Sequence, residues 1–155
     1  MPENYIAFAF YQIGNFNHDR DIFFWETILP RVKDQMKTLD RHTIKSLYLI
    51  IIGASRMQLQ DNEFWETVEE QLIDNRLHRY LNIDQVCDLV EGLSLVGRGS
   101  DELLELCEKY IIKHRKALTK INIEKASHGF KELNKGSAVL FEVLGDPSRG
   151  LKQIE

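Results

Sequence analysis

The sequence is short of the features that announce chemistry or a membrane. Two cysteines, Cys87 and Cys107, are too few for a disulfide framework. Both fall at apolar helical positions, which points to buried thiols and a reducing, intracellular compartment. The longest apolar run, Leu47 to Ile52, is far below the ~20 residues that cross a bilayer, so no membrane span is expected. Residues 1–19 contain no Lys or Arg and include Glu3 and Asp19, which leaves no visible secretory n-region and no Arg-rich transit peptide. An organellar address would be internal or already removed.

Catalytic and metal-binding patterns are missing as well. His18, His42, His78, His114 and His128 are scattered and form no His-x-x-x-His pair, and the cysteines form no Cys-x-x-Cys. Gly97-Arg98-Gly99-Ser100 lacks the preceding strand and the following Lys-Ser/Thr of a phosphate-cradling loop, and reads as a helix stop followed by the Ser100 cap of the next helix. Carboxylates are plentiful, but a solvated acidic face defines no matched acid–base pair. The expectation is a non-enzyme with no cofactor and no metal.

What the chain does have is a repeat. Phe24-Trp25-Glu26-Thr27 returns as Phe64-Trp65-Glu66-Thr67, and a degenerate copy, Leu103-Leu104-Glu105-Leu106, follows. Self-similarity at about 35 to 45 residues marks stacked two-helix units. With 155 residues, 43% hydrophobic and 28% charged, the chain is long enough to bury about two-thirds of its unfolded surface. The expected fold is all-α, an α-solenoid of about three full helix pairs plus a half pair at each end, over residues 1–144, with a polar tail at 145–155.

Periodicity and punctuation place the elements. Helices are expected near 4–13, 22–36, 40–52, 63–79, 83–96, 101–116, 122–134 and 137–144, with no strands. Ile22, Trp25, Ile28, Leu29 and Val32 form one apolar stripe, and Trp65, Val68, Leu72, Ile73 and Leu77 form the next, so Trp25, Trp65 and Leu104 are expected as buried equivalents. Asp40, Asn82 and Asn122 stand where the second helix of each pair starts, and Asn82 with Gln85 has capping-box spacing. Gly14, Gly53, Gly97 and Gly136 stand near second-helix ends, as left-handed terminators. The chain opens almost directly in a helix without a polar capping repeat, so either it is a fragment or another protein is expected to cover that end.

The pattern Glu102-Leu103-Leu104, Ile111-Ile112, Leu118, Ile121-Asn122-Ile123, Ala126, Gly129-Phe130, Leu133, Gly136-Ser137 and Leu140-Phe141 resembles the helical repeats of FAST-kinase-like proteins and of the related heptatricopeptide and octotricopeptide repeats. The resemblance covers residues 4–144. It implies an α-solenoid, residence in mitochondria or chloroplasts, and work in organellar RNA metabolism or as a scaffold; a cytoplasmic location is the alternative to the mitochondrion. The tetratricopeptide signature at a 34-residue period is missing, and no carboxy-terminal nuclease-like domain of the FAST-kinase kind follows the repeats.

Charge divides the chain. From Gln60 to Glu102 eleven acidic residues face Arg76, Arg79 and Arg98, a balance of minus eight; from Lys109 to Lys135 eight basic residues face Glu124 and Glu132, a balance of plus six. Two functions follow. The first is a scaffold or accessory subunit that binds other protein subunits through the apolar ends of its stack, Ile6, Phe8, Phe10 and Tyr11 at one end and Val139, Leu140 and Phe141 at the other. The second is an RNA-binding solenoid in which Lys113, Arg115, Lys116 and Lys120, with His114, track phosphates across one inter-helix turn. A plainer reading of those cations is that they complement a helix carboxy terminus. The net charge of minus four favours the scaffold.

Overall fold

The computed structural model describes residues 7–9, 11–12 and 27–145. All regular structure among them is helical and none is strand. The chain divides into two compact units, Met1–Leu81 and Asn82–Glu155.

In the first unit, residues 7–9 and 11–12 are helical. Helix α1 (Leu29–Met36) starts with Pro30 in its first turn, where proline's missing N–H costs nothing, and buries Leu29, Val32 and Met36. Asp40 closes a capping box with Thr43 around a 3-10 turn (Arg41–Thr43), which leads into α2 (Ile44–Arg56). Helix α3 (Asn62–Glu69) is capped by Asp61, whose carboxylate accepts from the Phe64 N–H at 2.8 Å and also receives the Lys33 ammonium of α1 at 3.1 Å. One aspartate thus starts α3 and fixes it against α1. The helix widens into a π turn (Glu70–Asp74), the Asn75 N–H donating to the Glu70 carbonyl at 2.9 Å. That turn carries the buried Gln71, whose amide donates to the carbonyls of Met36 and Leu39 at the end of α1. A 3-10 turn (Leu77–Tyr80) ends the unit. Trp65 is buried as expected, its indole N–H donating to the Leu59 carbonyl at 2.7 Å. Trp25 lies outside the described residues.

The second unit is built on α4 (Ile83–Val96), α5 (Asp101–Lys113), α6 (Lys120–Glu132) and α7 (Ala138–Val143). Helix α4 packs most closely with α6 and also contacts α5, and α5 carries α7. Asn82 and Gln85 form the expected capping box, Ser100 caps α5, and Gly97 ends α4 in the left-handed conformation at φ 68°. The α4–α6 contact is close because Gly129 has no side chain: a Cβ there would lie 2.7 Å from Val90 Cγ1 and 2.9 Å from the Val90 carbonyl oxygen. Polar straps flank it, with Asn122 Nδ2 donating to Asp84 at 2.9 Å and Lys125 pairing with Asp88 at 2.6 Å.

The structure corrects several expectations. Gly53 does not stop α2, which runs on to Arg56; it is buried inside the helix, and the left-handed residue after it is Gln58, at φ 55°. Gly53, Gly92 and Gly129 each stand ten positions after the residue that begins their helix, Thr43, Asn82 and Thr119, and all three are buried. At Gly129 the position serves close packing against Val90. Asn134, at φ 55°, follows the end of α6 ahead of Gly136. Asn122 is not a cap: Thr119 accepts its N–H, and Asn122 is buried within the first turn of α6. Gly14 lies outside the described residues.

Leu140 and Phe141, expected as an exposed apolar end, are 0% and 1% exposed. The reason is a further copy of the repeat. Leu140-Phe141-Glu142-Val143 stands three residues after its cap Ser137, as Phe64-Trp65-Glu66-Thr67 follows Asp61 and Leu103-Leu104-Glu105-Leu106 follows Ser100. In all three copies the first two residues are buried and the Glu is exposed. Of the expected end, only Val139 is open to solvent.

Two predictions follow from this packing. Gly129→Ala should destabilise the chain by about 1–3 kcal/mol, because the added methyl meets backbone as well as a side chain, against a helix-propensity gain of about 1 kcal/mol; a denaturant midpoint at or above that of the parent would contradict it. Burial, with Asp88 and Asp84 nearby, pushes the Cys87 thiol up from 9.0 to about 12. A raised pKa means stability that is complete below pH 9 and lost as pH rises towards 12. Cys87→Ala should flatten that alkaline loss, read as unfolding free energy against pH.

Candidate functional site

A short 3-10 segment precedes each of α2, α4 and α6, and these joints carry basic residues. They carry Arg41-His42, His78-Arg79 and His114-Arg115, one His/Arg dipeptide per joint. The first turns of α3 and α5 carry acidic residues instead, Glu63 behind the Asp61 cap and Asp101 with Glu102 behind the Ser100 cap.

In the second unit the joint is a basic concavity of about 370 Å³ lined by Lys113, His114, Arg115, Lys116 and Ala117. Arg115 Nη1 donates to the Ile112 carbonyl at 3.1 Å, so this guanidinium does complement the end of α5. The imidazole of His114 lies against the Tyr110 ring, centroids 4.2 Å apart, and burial pushes the Tyr110 hydroxyl pKa up. Lys113, Lys116 and Lys120 are exposed and form no ion pair among the described residues. Lys120 begins α6 just outside the concavity, beside Ile121, which is 61% exposed. The structure therefore brings Lys113, Arg115 and Lys116 together and leaves Lys120 at the rim. Two other lysines of the basic stretch are held internally, Lys125 on Asp88 and Lys135 on Asp101.

The first unit holds a cluster that the sequence reading passes over. Tyr80 is 40% exposed, and the guanidinium of Arg79 lies 5.7 Å from its ring centroid. Interaction with the Arg41 guanidinium, followed by the charge of Arg79, pulls the Tyr80 pKa below its usual value. Arg41 Nε donates to His42 Nε2 at 3.3 Å. The available signal was the recurring His/Arg dipeptide.

The proposed docking residues separate. Phe8 is 53% exposed, whereas Tyr11 is half-buried with the Arg56 guanidinium 5.0 Å from its ring. Phe10 lies outside the described residues, and Leu140 and Phe141 belong to the core. A second hollow of about 350 Å³ in the second unit is lined by Asp101, Glu105, Glu108, Lys135 and Ser137 over Leu104 and Phe130; Glu108 accepts from both the N–H and the hydroxyl of Ser137, which ties α7 to α5. No helix among the described residues is long and apolar enough to cross a membrane.

No protein-family model matches the chain, and no curated protein matches it.

The Tyr80 cluster makes a direct prediction. Following tyrosinate absorbance through an alkaline titration should show one tyrosine ionising ahead of the rest, and Arg41→Gln should return it to the ordinary range. An unchanged titration in Arg41→Gln would show that Arg41 does not lower this pKa.

Proposed function

We propose that the chain is a non-enzymatic helical-repeat scaffold or accessory subunit, an α-solenoid of two-helix repeats that holds other protein subunits against its surface. The observation that carries this reading is the contrast between its second helices. Helix α4 buries Val86, Cys87, Leu89, Val90, Gly92, Leu93 and Val96, residues from most of its circumference. Helix α6 buries only Asn122, Ala126, Gly129 and Phe130, and turns Lys120, Glu124, His128, Lys131 and Glu132 outward. An all-round apolar helix suits the interior of a stack, and a one-faced helix suits a terminal repeat with a polar outer face. Docking is therefore assigned to the amino-terminal segment, through Phe8. Expressed with an affinity tag in its own source cells, the chain should elute in an assembly larger than the monomer, and Phe8→Glu should shift it towards the monomer. Elution of the parent as a monomer would defeat the reading.

A second reading, RNA binding in organellar RNA metabolism, draws on the repeat resemblance and on the grouping of Lys113, Arg115 and Lys116 around one concavity. Here the combined change of Lys113, Arg115, Lys116 and Lys120 to Glu should abolish RNA affinity that falls steeply with salt in the parent. Equal affinity in the two proteins would exclude the basic turn.

A further inference from the structure

The turn after α5 holds more positive charge than the helix end needs. Arg115 Nη1 already donates to the Ile112 carbonyl at 3.1 Å, which answers the partial negative charge of the last helical turn. Lys113 and Lys116 line the same concavity of about 370 Å³, are exposed, and form no ion pair among the described residues. Lys120 stands at its rim, exposed and likewise without an ion pair among the described residues. Lys125 and Lys135, by contrast, are each taken up by a carboxylate of the same unit. Cations grouped without a counter-charge repel one another, and an anion seated among them relieves that cost.

The surroundings narrow the kind of anion. The hollow is concave, so it admits a protruding side chain and not the plane of a bilayer surface. Tyr110 and His114 lie against each other, centroids 4.2 Å apart, and both are half-buried, so the joint offers no open ring for a nucleic-acid base. Next to Lys120 stands Ile121, 61% exposed and the most exposed large hydrophobic among the described residues, with Ala117 exposed on the same joint. A phosphate backbone has no use for an aliphatic side chain, whereas a peptide that carries an apolar residue among carboxylates uses both the cations and the isoleucine. We propose that the 113–121 turn is a docking surface for an acidic segment of a partner protein, with carboxylates on Lys113, Lys116 and Lys120 and an apolar side chain against Ile121. This rests on the scaffold reading, in which the ligands are proteins, and adds a second surface to the one at Phe8.

The test is fluorescence anisotropy of labelled probes with the full chain: a peptide of Glu-Glu-Leu repeats, polyglutamate of equal charge, and an oligouridylate of equal charge. The Glu-Glu-Leu peptide should bind tightest, with an affinity that falls as salt rises. Lys113→Gln combined with Lys116→Gln should weaken both peptides about fivefold or more. Ile121→Ser should weaken the Glu-Glu-Leu peptide about fivefold, leave polyglutamate affinity unchanged, and leave the denaturant midpoint near that of the parent because the side chain is exposed. Tightest binding of the oligouridylate would overturn the proposal in favour of RNA at this turn. Equal affinity for the two peptides, or equal losses of both in Ile121→Ser, would overturn it as well. If neither peptide binds while the tagged chain still elutes in an assembly from its source cells, this proposal falls and the scaffold reading stands. A parent that binds the Glu-Glu-Leu peptide yet elutes as a monomer would keep the surface and defeat the scaffold.

Discussion

The contact between α4 and α6 is the constraint on which the second unit depends. Two helices approach this closely only where one offers no side chain, and Gly129 provides that opening against the backbone of Val90. Once the distance is set, the neighbouring polar groups have little choice of partner. Asp84 and Asp88 stand one turn apart on α4, Asn122 and Lys125 one turn apart on α6, and the two pairs meet across the contact. Asn122 is buried, so its amide needs a partner, and the glycine is what brings Asp84 within reach. Apolar packing fixes the spacing, and the polar straps fix the register.

This arrangement changes what the charge of the sequence means. A balance of plus six between Lys109 and Lys135 reads as one basic region, yet Lys125 and Lys135 belong to the internal wiring of the unit. Lys113 and Lys116, at the turn after α5, are exposed and form no such pair among the described residues. The same division holds in the first unit: Lys33 bridges α1 to the start of α3 through Asp61, while Arg41, Arg76 and Arg79 remain on the joints. Packing thus sorts one residue type into two roles.

Local features were legible in the sequence because they are decided within a few residues. The caps at Asp40, Asn82 and Ser100, the left-handed Gly97 and the burial of Trp65 and Leu104 all follow from short spacing rules. Misreadings arose where one residue type serves two purposes. Asn122 resembles a cap, but Thr119 offers its hydroxyl three residues earlier, and a partner on another helix claims the amide. Gly53 resembles a stop, but a glycine in an apolar helix can equally mark close packing. Leu140 and Phe141 resemble an open end until Ser137 is recognised as the cap that places them in register with Phe64 and Trp65. The effect of Arg41 on Tyr80 had no local signature, because the two residues lie far apart in the sequence.

Gln71 sets a limit on how modular such a chain is. It leaves the π turn of α3 to donate to carbonyls at the end of α1, and it does so from within the core. The position 39 residues later, the spacing between Asp61 and Ser100, is Tyr110, whose ring lies against His114. Repeats that share caps and apolar pairs are therefore not interchangeable parts. Putting the 101–113 helix in place of α3 would leave the buried Leu39 carbonyl without its donor, a loss of about 1–3 kcal/mol. A lock of this kind belongs to one junction, and a copy of the helix moved elsewhere would not carry it.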